Sequence, residues 1–72
     1  MTIILRSIPL PLTKTTIMVV DDHPILRHGT AQLINRECDL EVDIEAESAE
    51  QALQDMRTDP VDLVIVDLAL SG

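Results

Sequence analysis

Three aspartates stand where short apolar runs of the chain end. Asp21 and Asp22 follow the run IMVV (17–20), and Asp67 follows the run LVIV (63–66). Clustered carboxylates repel one another unless a cation lies between them. Oxygen ligands of this kind suit Mg²⁺, which takes one or two carboxylates together with water and phosphate oxygens. A carboxylate beside such a cation can also attack phosphorus and form an aspartyl phosphate.

Acidic residues at strand ends also have a simpler interpretation, because many are only solvated turn formers or caps of the next helix. Two strands that both end in aspartate favour a ligand-binding site instead. If the two strands are parallel neighbours, about 4.8 Å apart, the carboxylates converge at the edge where open α/β sheets bind ligands. His23 is interpreted as the residue preceding a helix rather than as a metal ligand, and His28 as a surface residue.

The stretch between these aspartates has the pattern of alternating strands and helices. Pro24 is favoured at a first helical position, and Ser48 with Gln51 forms a capping box. An unbroken apolar run suits a strand buried on both faces, whereas alternation over 40–46 predicts one wet face. Strands that alternate with helices in this way predict a parallel sheet with right-handed crossovers. The predicted elements are strands at 17–20, 40–46 and 61–66 and helices at about 24–36 and 49–57.

Each helix is expected to bury one apolar face against the sheet. The predicted buried residues are Leu26, Thr30, Leu33 and Ile34 in the first helix and Ala49, Ala52, Leu53 and Met56 in the second. The chain has no Phe, Tyr or Trp. Because aromatic side chains supply much of the buried area in small domains, their absence predicts an incomplete core or a partner that completes it.

Composition narrows the classes of function. The 13 acidic and 5 basic residues give a formal net charge of −8, which opposes direct binding to nucleic acid. Cys38 is the only cysteine, so no intrachain disulfide forms and a cytoplasmic location fits. No apolar run is long enough to cross a bilayer. Residues 1–15 are predicted to be an N-terminal extension or linker that contains a short strand, ahead of a domain over 16–72.

Two segments carry a resemblance to a known family. "IMVVDDHPILRHG" and "DLVIVDLALSG" resemble the opening and the phosphoacceptor strand of response-regulator receiver domains, within the NarL/FixJ group with LuxR-type output domains. The resemblance runs from about residue 17 to residue 72 and covers the N-terminal half of a receiver. It implies a flavodoxin-like (CheY-like) α/β fold with three α/β/α layers. Here that fold would be truncated to strand-helix-strand-helix-strand, with parallel strand order two-one-three.

The resemblance also implies a site. Asp67 would accept a phosphoryl group from a sensor histidine kinase and would also be a ligand of Mg²⁺. Asp22 would bind Mg²⁺ directly, Asp21 largely through water, and Ala69 through its backbone carbonyl. Such a domain is not an enzyme; at most it catalyses its own phosphorylation and dephosphorylation, and it regulates transcription through an output domain that this chain lacks.

Two departures from the family pattern set further expectations. Ser71 stands where the family loop usually has proline, and the chain stops at Gly72. The later strands, with their switch Ser/Thr and phosphate-contacting Lys, are therefore absent. The third strand would then be a bare apolar edge, and such edges recruit other strands. We expect a homodimer through that edge, or coverage of an edge by residues 2–8 in cis or in trans.

Three functions remain open at this point. The first is a receiver-type phosphoacceptor. The second is a truncated dimerisation or interaction fragment that docks on a regulator or kinase without being phosphorylated. The third is an aspartate-nucleophile phosphatase. Those enzymes need a D-x-D pair after the first strand, whereas Asp21 and Asp22 are adjacent and His23 follows them, which argues against the third.

Overall fold

A computed structural model describes residues 2–6 and 14–67. The elements are strands β1 (Thr2–Arg6), β2 (Thr15–Asp21), β3 (Leu40–Ala46) and β4 (Leu63–Asp67) and helices α1 (Pro24–Asn35) and α2 (Ala49–Thr58). The strands form one sheet in the order β1-β4-β2-β3. β2 is parallel to both β3 and β4, whereas β1 is antiparallel to β4.

The predicted parallel core is confirmed. β2, β3 and β4 are the three strands expected from the sequence, and their spatial order β3-β2-β4 is the predicted two-one-three order. β2 lies in the centre of the sheet, and its residues from Ile17 to Val20 are all at most 1% exposed. A strand with no polar residue in this run can be covered on both faces. The buried residues of one face are Met18, Val20, Ala46, Ala52 and Val64.

The register between β2 and β4 is fixed at their N-terminal ends. The Asp62 carboxylate accepts hydrogen bonds from the backbone N–H of Thr16 at 3.0 Å and from its hydroxyl at 3.2 Å. The backbone N–H of Asp62 in turn donates to the Thr16 carbonyl at 3.0 Å. From there the two strands pair without a register shift up to Asp21 and Asp67. The link at one end of the sheet therefore determines which residues meet at the other end.

The outer edge of β4 is covered by β1 of the same chain. Ile4 pairs with Ile65, and the antiparallel register extends from Thr2 opposite Asp67 to Arg6 opposite Leu63. This is the cis form of the edge coverage expected above, over residues 2–6. The remainder of that segment, residues 7 and 8, lies outside the described residues. The domain boundary between residues 15 and 16 stays a prediction.

At the opposite edge, β3 has one wet face, as predicted. Glu41, Asp43 and Glu45 are exposed, and the intervening side chains are half-buried. The pairing with β2 shifts register between Ile17 and Met18. Beside this irregularity the Val42 N–H donates to the Asn35 side-chain oxygen at 2.8 Å. The last residue of α1 thereby satisfies a backbone donor of the edge strand.

The predicted buried face of α1 is wrong in its main residues. Leu26 and Leu33 are 58% and 62% exposed, and Ala31 is the residue of this helix that is fully buried. Thr30 and Ile34 are half-buried. Ala31 rather than a leucine is therefore the buried position of α1, which packs on β2 and β3. The helix ends at Asn35, and Arg36, predicted as its last residue, is the C-cap.

The face predicted for α2 is also largely wrong. Ala52 is buried, but Ala49, Leu53 and Met56 are exposed. Among the described residues the backbone of α2 lies close to β2 and β3 but not to β4, and its outer apolar side chains stand beside an open groove. That groove has a volume of about 220 Å³ and an apolar lining of Val20, Ala49, Ala52, Leu53, Met56, Val64 and Val66.

At the start of α2, one of the two hydrogen bonds of the predicted capping box is present. The Ser48 hydroxyl accepts a hydrogen bond from the Gln51 backbone N–H at 3.1 Å, which satisfies one free donor of the first turn. The Gln51 side chain turns along the helix instead of back to Ser48, and donates to Asp55 at 3.0 Å. Within residues 14–67 neither helix is long and apolar enough to cross a membrane.

Candidate functional site

Asp21 and Asp67 lie side by side at the carboxyl edge of the sheet. They are the last residues of β2 and β4 and are register partners in the parallel ladder, so their backbones are about 4.8 Å apart. Parallel strands present register partners on the same face. The sheet therefore brings together the two strand ends whose aspartates were matched in the sequence.

Asp21 is the buried member of the group. It is 2% exposed, and its Oδ1 accepts a hydrogen bond from the His23 backbone N–H at 2.9 Å. A buried carboxylate without such a partner would destabilise the fold by several kcal/mol. No buried side-chain polar atom lacks a hydrogen-bond partner in the part of the chain that the structure describes. The turn after β2 therefore holds this carboxylate in one orientation.

Asp22 and His23 complete a compact cluster. His23 is the N-cap of α1, which agrees with its predicted place before the helix. Its Nδ1 lies 2.8 Å from Asp22 Oδ1 and 3.3 Å from Asp21 Oδ1. One ligand atom from each of Asp21, Asp22 and His23 lies within 4.8 Å of the others, a spacing that could hold a metal ion. The contact of His23 with both carboxylates was not predicted.

Asp67 stands beside this cluster rather than within it. Its side chain is exposed at the rim of the sheet, next to Asp21 in the ladder. Ala69, predicted to offer its carbonyl, lies outside the described residues. The exposed carboxylates of Asp22 and Asp67 are open to a cation or a phosphodonor from solution, while Asp21 is a fixed, buried oxygen donor. Hard oxygen donors in this arrangement fit Mg²⁺.

Arg27 was given no role at the site from the sequence. Its guanidinium Nη1 donates to the backbone carbonyl of Asp21 at 3.0 Å, and its Nε donates to Glu45 Oε1 at 3.3 Å. The side chain is mostly buried. The signal available was its position one turn after His23 on a helix that starts directly behind the two aspartates.

A second acidic pair lies elsewhere on the surface. Asp43 of β3 contacts Asp59 at the end of α2, and this neighbouring carboxylate raises the pKa of Asp59 above its ordinary value. The pair contains no buried carboxylate comparable to Asp21, because both residues are exposed. It therefore serves as an internal comparison for cation binding at the sheet edge.

The model of the response regulator receiver domain family matches residues 17–72. The chain belongs to the response-regulator receiver family. The receiver is 33% identical over 61 residues to Fimbriae Z protein of Salmonella typhimurium, covering 85% of this chain and 29% of that protein. It is 40% identical over 57 residues to the nitrate/nitrite response regulator protein NarL of Escherichia coli, covering 79% and 26%.

Another relative of the receiver is the transcriptional regulatory protein ComA of Bacillus subtilis, 35% identical over 57 residues, covering 78% of this chain and 27% of ComA. The chain thus spans less than a third of the curated relatives it matches. No solved structure matches it. The NarL/FixJ resemblance is confirmed by these response regulators. Receivers are signalling domains of two-component systems, which bind Mg²⁺ through acidic residues and interact with sensor histidine kinases.

Proposed function

We propose that Asp67 accepts a phosphoryl group from a sensor histidine kinase in a cytoplasmic two-component phosphorelay that regulates transcription. The observation that supports this most is the register pairing of Asp67 with the buried Asp21 on neighbouring parallel strands. Asp22 follows Asp21 directly and is exposed at the same edge. DNA binding would belong to an output domain, because this chain has a formal net charge of −8.

In the proposed reaction a carboxylate oxygen of Asp67 attacks the phosphorus of a phosphohistidine. The new bond joins that oxygen to phosphorus, and the bond from phosphorus to the imidazole nitrogen breaks. The nitrogen keeps the electron pair and takes a proton from water. Asp21, Asp22, Asp67 and the Ala69 carbonyl would hold Mg²⁺, which offsets the charge of the transferring group when bound.

The proposal is tested by phosphorylation with a small donor. Incubation with Mg²⁺ and acetyl phosphate should add one phosphoryl group to the protein, measured as intact mass. Asp67→Asn should abolish the adduct, because the amide is not a nucleophile. Asp39→Asn is the matched control, since Asp39 is exposed next to the N-terminal end of β3, at the opposite edge of the sheet. An adduct that persists in Asp67→Asn would refute the assignment.

A second candidate is an interaction fragment that is not phosphorylated and forms homodimers or docks on another regulator. It is favoured by the exposed apolar side chains of the two helices, namely Ile25, Leu26, Leu33, Leu53 and Met56. Two of these side chains, Leu53 and Met56, border the apolar groove beside α2, and exposed apolar surface of this kind marks interaction sites. The same experiment separates the candidates: a wild-type protein that dimerises but takes up no phosphoryl group would support the fragment.

A further inference from the structure

Arg27 connects three parts of the chain around the acidic edge. Its backbone N–H donates to the His23 carbonyl at 2.8 Å, in the first turn of α1. Its Nη1 donates to the Asp21 carbonyl at 3.0 Å, and its Nε donates to Glu45 on β3 at 3.3 Å. Through its side chain and its backbone N–H, Arg27 thus links the end of β2, the start of α1 and the end of β3.

These contacts fix the peptide that joins the two adjacent aspartates. Asp21 is held at its carbonyl by Arg27 and at its carboxylate by the His23 N–H. The Asp21 carbonyl belongs to the same peptide plane as the Asp22 N–H, because the peptide bond is planar. Holding that carbonyl therefore restricts the direction in which the Asp22 side chain leaves the backbone.

Glu45 forms an ion pair with Arg27 and so balances its positive charge. Its Oε1 accepts from Arg27 Nε at 3.3 Å, and its Oε2 lies 3.4 Å from His28 Nδ1. The guanidinium is thus paired with a carboxylate that is outside the acidic cluster. It contacts the cluster through the Asp21 backbone carbonyl rather than through the carboxylate oxygens of Asp21 and Asp22.

We propose that Arg27 is a positioning residue for the cation site, an inference that rests on the proposed function in assuming that this edge binds Mg²⁺. The Arg27 side chain has two opposing effects on the affinity for a cation. As a nearby positive charge, Arg27 weakens the binding of any cation. As a tether of the Asp21–Asp22 peptide, it strengthens binding by holding the ligands in place. We infer that the second effect dominates.

The test is calorimetric titration with Mg²⁺ alone. Arg27→Met keeps most of the apolar stem of the side chain but removes its charge and its donors, and should weaken Mg²⁺ binding about 10-fold or more, the usual cost of losing an outer-shell partner. Arg27→Lys keeps the charge but cannot reach both acceptors, so it should fall between wild type and Arg27→Met. Arg36→Met is the charge-matched control, because Arg36 is exposed at the other end of α1.

A readout without metal completes the experiment. In the metal-free protein, Arg27→Met should speed amide hydrogen exchange at Asp22 and His23 but not in β2. Circular dichroism checks that each variant is folded, and Arg27→Lys carries the test if Arg27→Met is not. Equal or tighter Mg²⁺ binding by the Arg27 variants would overturn the positioning role. A wild-type protein that binds no Mg²⁺ would refute the proposed function, and unchanged exchange would then overturn the role of Arg27 as well.

Discussion

Replacing Ile3 and Ile4 together by proline should detach β1 from β4 and make the protein self-associate as its concentration rises. In an antiparallel pair, neighbouring residues alternate between bonding to the partner strand and pointing away from it. One of the two prolines must therefore remove a donor of the ladder, whichever way the alternation runs. The freed edge of β4 spans Leu63 to Asp67, and a bare apolar edge recruits other strands.

Sedimentation velocity over a concentration series measures this effect. The matched control is the double substitution of Ile3 and Ile4 by valine, which keeps both backbone N–H groups and a high strand propensity. The valine variant should behave as the wild type does at every concentration. If the proline variant also sediments as the wild type does, β1 contributes nothing to covering the β4 edge.

Met18→Ala should lower the free energy of unfolding by about 2–5 kcal/mol. Met18 is fully buried in the central strand and belongs to the cluster of Val20, Ala46, Ala52 and Val64. The core has no aromatic residue that could move into the space. A domain of this length has a total stability on the order of 5–10 kcal/mol, so the substitution removes a large fraction of it.

Urea unfolding followed by far-ultraviolet circular dichroism suits this measurement, because the chain has no Trp or Tyr for fluorescence. Met18→Leu is the matched control and should cost less than about 1.5 kcal/mol, since it nearly conserves volume. Equal midpoints for the alanine and leucine variants would show that Met18 is not packed as described.

The strands were predictable because their signals are local. The apolar run at 17–20 and the alternation at 40–46 each specify how many faces of a strand are covered, and the structure follows both. The aspartates at the ends of β2 and β4 then meet because parallel neighbours share an edge. The antiparallel pairing of β1 was one of several arrangements left open, since no local pattern selects a partner for a short apolar segment.

The helix faces were less predictable because they depend on how closely each helix approaches the sheet. The helical periodicity identified the apolar positions, but it favoured burial of the large leucines over burial of the small residues. Ala31, which was not predicted, and Ala52, which was, are the buried residues of the two helices, whereas Leu33 and Leu53 are exposed. The choice depends on shape between elements, which a single helix pattern does not contain.

The contacts of Arg27 and His23 were still harder to predict from the sequence. Glu45 is distant from Arg27 in the chain, and the two meet only because β3 lies beside β2. His23 was correctly placed before the helix, yet its side chain faces both aspartates. Residue types could suggest the acidic site, but the groups that orient it are set by tertiary packing.

The most direct test of the account is where a paramagnetic cation binds. Mn²⁺ takes the same oxygen ligands as Mg²⁺ and broadens the nuclear magnetic resonance signals of nearby amides. Titration into the ¹⁵N-labelled protein should broaden the amides of Asp21, Asp22 and Asp67 first and together. Broadening that begins at the exposed Asp43 and Asp59 pair, or that reaches Asp21 and Asp22 without Asp67, would contradict a single site built from the ends of β2 and β4.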